Sequence, residues 1–364
     1  MLATTTAFSL EPSTSPTHVD ERSERLVSPG FGRVFTDHMA TVRYTTGQGW
    51  HDPKIVARRP LTIDTATSVL HYAQEIFEGL KAYRRPGGGA ALFRPDANAR
   101  RFNQSARRMA MPDLPEELFL ESVRALVRTE KDWIPDSPEG ALYLRPFMFA
   151  SEVFLGVKPA DEYLYAVIAS SVGAYFRGGA PTISLWATRE YTRAAPGGTG
   201  AAKCGGNYAA SLIAQAEAIR QGCDQVVFLD AVERRWIEEL GGMNIFFVFE
   251  DGSLQTPPLS GTILAGITRD SLLRLARDQG LTVREEPYSL DQWREDATSG
   301  RLTEAFACGT AAVVTAIGSV RSADGGFTIG GEKVGPLTER LRSALVDIQR
   351  GTAPDPYGWV EQVV

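Results

Sequence analysis

Short apolar runs of strand length alternate with longer stretches of helical spacing along almost the whole chain, and this pattern limits the fold more than any other feature. "ALYLRPFMFA", "YLYAVIASSV", "ISLWA", "QVVFL" and "NIFFVFE" are rich in β-branched and aromatic residues and read as strands. Residues 96–110 set Phe102, Ala106 and Met109 on one side of a helix, and residues 115–130 turn Leu118, Val123, Leu126 and Val127 inward. A chain that mixes the two periods throughout is expected to be α/β (α+β), with helices covering sheets.

At 364 residues the chain is too long for one small core and is expected to hold two domains. Residues 1–30 are Ser/Thr/Pro-rich and then charged, and read as a flexible tail without the apolar core of a signal peptide. Residues 31–172 are expected to form a small α/β domain. The glycine-rich stretch 173–182, which ends in "APT", reads as the interdomain loop. Residues 183–364 are expected to form a large α/β domain that carries Lys203. Within it, residues 208–221 read as a helix, with Leu212, Ile213, Ala216 and Ile219 spaced for burial and Gly222 as its stop. "GITRDSLLRLARDQG" and "PLTERLRSALVDIQRG" read as further helices, and no internal repeat is evident.

Composition removes several classes of function. Hydrophobic residues make up 43% and charged residues 23%, with a net charge of −6 and no basic run set apart from acids, so a nucleic-acid partner is not expected. The three cysteines, Cys204, Cys223 and Cys308, are far apart and form no CxxC or Cys/His cluster. Neither a metal site nor a disulfide framework is expected, and the thiols suit a reducing cytoplasm. No run of about 18 apolar residues suggests a membrane span.

One residue type is used sparingly. Lysine occurs only at 54, 81, 131, 158, 203 and 333, and arginine fills nearly every other basic position. Lys203 stands in "GTGAAKCGGNY" among small residues, with no acid after it until Glu217. An arginine cannot form a Schiff base, whereas a lysine with a lowered pKa can. From spacing alone, a surface lysine ahead of a helix fits as well. Gly266, Ile267 and Thr268 lead into a helix whose free N–H groups suit a phosphate, although Thr268 also serves as an ordinary N-cap. "CGTAA" at 308–312 is a second Gly-Thr turn after a strand.

The motifs "EIFEGLKAYR", "FRPDANARRFNQSARRM", "ALYLRPF", "GAYF", "KCGGNYAASL", "EELGGMNIFFVF", "PPLSGTILAGITRDSLL" and "ACGTAAVV" occur in this order. Together they resemble the branched-chain amino acid aminotransferases, pyridoxal-phosphate enzymes of fold type IV, from about residue 30 onward. The resemblance implies two α/β domains with pyridoxal 5'-phosphate between them and Lys203 as the lysine of its Schiff base. It implies Tyr208 on the cofactor's phenolic oxygen and Glu239, rather than its neighbour Glu238, on the pyridine nitrogen. For the phosphate it implies Arg101, rather than Arg100, with Ile267, Thr268 and Thr310.

For the substrate, the resemblance implies aromatic pocket and gate positions at Tyr72, Phe77, Tyr143 and Tyr175, with Arg145 near a carboxylate. Gly242, Met243, Thr310 and Ala311 are implied in turns that cradle the α-carboxylate. Gly242 stands where some relatives carry threonine. Ala312 and Thr315 occupy the positions of a redox CxxC pair in mammalian relatives, so no thiol switch is expected there. The implied reaction passes the amino group of L-leucine, L-isoleucine or L-valine to 2-oxoglutarate, giving a branched 2-oxo acid and L-glutamate. A homodimer is implied as well. Another fold type IV activity (D-amino acid or amine transaminase, aminodeoxychorismate lyase) shares the lysine, glutamate and phosphate residues and differs in the pocket. A non-catalytic protein that keeps the fold is the other alternative.

Overall fold

The computed structural model describes residues 7–173 and 182–364. The chain divides into two compact units: Met1–Tyr175 with Ala202–Gly205 and Ile348–Val364, and Phe176–Ala201 with Gly206–Asp347. The boundary near residue 175 falls inside the stretch expected as the interdomain loop, most of which lies outside the described residues. Lys203 was expected in the large domain. Its segment instead groups with the first unit, because the Lys203 main chain is tied there: its N–H donates to Ser105 Oγ at 2.9 Å and its carbonyl accepts from Phe77 N–H at 2.9 Å.

The first unit contains β1 (Ser9–Leu10), α1 (Val19–Val27), β2 (Val34–Phe35), β3 (His38–Thr45), β4 (Gly49–Ala57), α2 (Val69–Tyr72), β5 (Glu75–Phe77), β6 (Leu80–Arg84) and β7 (Ala90–Phe93). After them come α3 (Pro95–Arg108), α4 (Glu116–Glu130), β8 (Ala141–Ala150) and β9 (Glu162–Val172). Its sheet runs β1-β4-β3-β9-β8-β6-β7 and ends on a C-terminal strand, Val360–Gln362, with β2 on β9 and β5 on β8. The segment read as a flexible tail therefore holds ordered structure: β1 pairs with Lys54 and Ile55, and Thr17 donates to Asp37. These ties join residues far apart in sequence, which local composition does not reveal. The helices α3 and α4 lay Phe102, Ala106, Leu118, Val123, Leu126 and Val127 on one sheet face, as their spacing predicts.

The second unit contains β10 (Thr182–Thr188), α5 (Gly205–Arg220, from its second residue), β11 (Gln225–Leu229), β12 (Ile237–Leu240), β13 (Asn244–Phe249), β14 (Leu254–Thr256), α6 (Ile267–Asp278), β15 (Val283–Glu285) and α7 (Leu290–Ser299). It continues with β16 (Leu302–Gly309), β17 (Val313–Ser322), β18 (Gly325–Thr328) and most of α8 (Pro336–Arg350). The sheet order is β12-β11-β10-β17-β16-β13-β14-β15, with β10 parallel to both its neighbours.

In α5 the structure reverses the expected face. Leu212, Ile213 and Ile219 are exposed and Ala216 is half-buried, while Asn207, Ser211, Ala214 and Ala218 point inward. Ala214 and Ala218 pack with Trp186, Val226 and Phe228. Small residues at this spacing let the helix lie close to the sheet, and they displace the larger side chains to the opposite face.

Candidate active site

In the first unit the site residues rise from one face of the sheet. β5 pairs with β8 so that Ile76 lies against Met148 in the core, and alternation turns Glu75 and Phe77 to the opposite face. Tyr143 and Arg145 share that face on β8. The Arg145 guanidinium lies 4.8 Å from the centre of the Phe77 ring and 5.4 Å from that of Tyr143, and it donates to the Tyr143 hydroxyl at 3.1 Å. Arg145 Nε is buried and has no hydrogen-bond partner. A buried donor of this kind calls for an acceptor. The Lys203 amine stands 4.9 Å from the Phe77 ring centre. The sheet thus brings Phe77, Tyr143, Arg145 and Lys203 to one aromatic, cationic surface. Tyr72, on the short α2, is exposed and donates its hydroxyl to the Leu155 carbonyl instead. Tyr175 lies outside the described residues.

Arg101 projects from α3 into the interior, while Arg100 stays exposed on Asp96 at 2.6 Å, as the ~100° step between helical neighbours requires. Arg101 forks onto Glu78, with Nε to Oε1 at 2.7 Å and Nη2 to Oε2 at 2.8 Å. Glu78 is fully buried and also accepts from Asn98 at 2.7 Å. Burial pushes the Glu78 carboxyl up, but Arg101, Lys203 and these hydrogen bonds outweigh it and hold the carboxyl below its ordinary value. An ionised pair with such a geometry keeps the arginine's orientation fixed.

In the second unit, β12 sends its two consecutive acids to opposite faces, and both are buried. Glu239 pairs with Arg193 at 2.9 Å and accepts from the Leu264 N–H at 2.8 Å. Glu238 accepts from the Thr262 hydroxyl, and its other oxygen is buried without a partner. Burial raises the Glu238 carboxyl above its ordinary value. The two neighbours thus differ in kind: a charge-paired carboxylate and one that burial drives toward protonation.

Gly266 precedes α6 and gives no side-chain cap to the helix, so the first turn, with Ile267 and Thr268, carries the positive dipole end without one. A Cβ at Gly266 would fall on Asn244 Oδ1, so this approach requires glycine. Asn244 in turn reaches Glu239 at 3.5 Å. Tyr208 lies beside the turn after β12, since a Cβ at Gly242 would meet its ring at 3.5 Å. Met243 closes on Gly309 in the same way, at 3.4 Å, and so adjoins the turn that holds Thr310 and Ala311. All three cysteines are buried and free, and burial pushes the Cys308 thiol up, against any ready oxidation.

Sequence reasoning did not single out Glu75, Glu78, Ser105 or Arg193. Glu75 and Glu78 lie within "EIFEGLKAYR", and two acids so near buried strands offered a signal. Arg193, in a loop, carried none. Among the described residues there is no cluster of metal-binding side chains, and no helix is long and apolar enough to cross a membrane.

The family model "Amino-transferase class IV" matches residues 75–320. A branched-chain-amino-acid aminotransferase of Mycolicibacterium smegmatis is 52% identical over 98% of this chain and 98% of its own length. Its counterpart from Mycobacterium tuberculosis H37Rv is 53% identical with the same coverage. Among solved structures, the Escherichia coli branched-chain amino acid aminotransferase superposes with a TM-score of 0.73 at 30% identity, covering 89% of this chain and 100% of the other. The T.th. branched-chain amino acid aminotransferase, solved with pyridoxamine 5'-phosphate, also gives 0.73, at 29% identity over 89% and 99%. With the family model spanning most of the chain and relatives this similar matching nearly its full length, the chain belongs to the class IV aminotransferases of fold type IV, in the branched-chain amino acid aminotransferase family.

Proposed function

We propose that this aminotransferase moves the amino group of L-leucine, L-isoleucine or L-valine to 2-oxoglutarate, with pyridoxal 5'-phosphate as its cofactor. The observation that carries the substrate reading is Arg145, a guanidinium set among aromatic rings whose buried Nε has no hydrogen-bond partner. An aromatic surface suits an aliphatic side chain, and one cation at its edge suits the second carboxylate of glutamate.

The residues fit the cofactor by chemistry. The uncapped start of α6, with Thr268 and Thr310, supplies neutral donors for a phosphate, and Arg101 supplies a charge held in place by Glu78. Glu239 is an acid paired with Arg193 at 2.9 Å, and an acid is the partner that a protonated ring nitrogen requires. When bound, pyridoxal phosphate supplies an aldehyde that takes up the amine and a ring that withdraws electrons from the substrate's α-carbon. In this reading Lys203 anchors the aldehyde and, once released, moves the α-proton. Tyr208 donates to the phenolic oxygen. Phe77 and Tyr143 shape the side-chain pocket, Tyr72 and Tyr175 are assigned to its gate on the family resemblance, and the backbone at Gly242, Met243, Thr310 and Ala311 receives the α-carboxylate.

The protein is also proposed to be a cytoplasmic homodimer. Leu212, Ile213 and Ile219 on α5 and Val153, Phe154, Leu155 and Val157 after β8 are exposed apolar side chains in sequence clusters, as an interface between copies needs. The test of the function is amine transfer from leucine, isoleucine, valine and D-alanine to 2-oxoglutarate. Transfer from the three branched L-amino acids is expected, and transfer from D-alanine alone would overturn the reading.

A further inference from the structure

Glu75 stands beside the lysine segment, outside the set of residues assigned to cofactor and substrate. It occupies the sheet face that carries Phe77 and Arg145, and it is paired across the strands with Phe149. Its Oε1 accepts the backbone N–H of Gly205, the first residue of α5 and the second after Lys203. The first turn of α5 has no acid of its own, so Glu75 supplies the carboxylate that a helix N-terminus favours from a distant strand. Any Cβ at 205 would fall on that same oxygen. Three ties therefore pin the segment around Lys203: Ser105 on its N–H, Phe77 on its carbonyl and Glu75 on the N–H of Gly205. Burial raises the Glu75 carboxyl, while the Gly205 N–H and the Arg145 charge pull it back. Glu75 and Arg145 share this sheet face, and the charge of the one favours the ionised form of the other.

We propose that Glu75 is a positioning residue with two effects: its carboxylate holds the Lys203–Gly205 segment in place, and its charge offsets Arg145, so that the enzyme binds a dicarboxylate less tightly than Arg145 alone would allow. The second effect rests on the reading of Arg145 as the receiver of the second carboxylate. It sets specificity between the two substrate classes, since an aliphatic side chain does not respond to the balance of charge there. Tempering that affinity keeps the surface open to leucine when the dicarboxylate is abundant.

The experiment compares holoenzymes carrying Glu75→Gln and Glu75→Ala with the unchanged protein. Calorimetric binding of glutarate and of 4-methylvaleric acid gives a readout independent of turnover, and kcat and KM are measured alongside. Glu75→Gln keeps an acceptor for Gly205 and removes the charge. Its affinity for glutarate and its KM for 2-oxoglutarate are expected to tighten about fivefold, the lower range of coupling between charged sites, with 4-methylvaleric acid shifting less than twofold. Glu75→Ala loses the acceptor too, and its kcat is expected to fall about tenfold, with the glutamine variant restoring most of that loss. Glutarate affinity unchanged in Glu75→Gln would overturn the charge effect, and equal kcat in all three proteins would overturn the positioning effect. If glutarate binds but leucine gives no product, the functional reading fails, while Glu75 is still judged by the binding data.

Discussion

At the scale of single residues, the reaction surface depends on side chains too crowded to move alone. Tyr143 packs its hydroxyl onto Gly79, where a Cβ would fall on the phenolic oxygen, and the same hydroxyl holds Arg145 at 3.1 Å. Gly79→Ala therefore must push Tyr143 aside. The expected cost is about 1–3 kcal/mol of stability from overpacking, together with a KM for 2-oxoglutarate raised roughly tenfold and a smaller change for leucine. Thermal melts and steady-state kinetics check both; kinetics matching the unchanged protein would show that Arg145 does not depend on Tyr143. Some of this scale was legible beforehand. The family resemblance chose Glu239 over Glu238 and Arg101 over Arg100, and the structure sets the two acids on opposite faces and leaves Arg101 buried and Arg100 exposed. The partners that orient them were not legible. Arg193 reaches Glu239 from a loop, and Glu75 reaches Gly205 across 130 positions, contacts that only tertiary register creates.

At the scale of elements, β6 carries an unusual burden. Lys81 is almost fully buried, and burial, aided by the charge of Arg350, lowers its pKa from 10.5 to about 8. Below about 8 the amine is charged in both folded and unfolded chains and the fold bears the desolvation cost. Between about 8 and 10.5 the unfolded chain binds more protons than the folded one, so stability rises with pH. Lys81→Met keeps the length without the charge. It is expected to be more stable than the parent by up to about 3 kcal/mol at pH 7, a gain that shrinks as pH rises toward 10.5. Denaturant unfolding across that range checks it, and a constant difference would refute it. The type and order of most elements were readable from period and turn residues, such as Gly222 closing α5 at φ +71°. Which face of α5 is buried was not readable, because Leu212 and Ile219 repeat with the same helical period as Ala214 and Ala218.

At the scale of the whole molecule, each of the two units has its own sheet and core, and the chain passes between them more than once. Length and pattern foretold two units. They did not foretell that Ala202–Gly205 and the C-terminal residues from Ile348 belong with the first, because such returns rest on pairings like that of Val360 with Phe93. The large side chains displaced from the inner face of α5 have their consequence at this scale. Leu212→Glu is expected to shift the protein from dimer to monomer in light scattering while leaving circular dichroism unchanged, and a dimer of undiminished stability would remove α5 from the interface. The central claim is that the amine of Lys203 bonds to pyridoxal phosphate. Borohydride reduction of the loaded enzyme followed by peptide mapping tests it most directly. The account predicts a phosphopyridoxyl group on Lys203 and on none of the other five lysines; a label elsewhere, or no label at all, would contradict it.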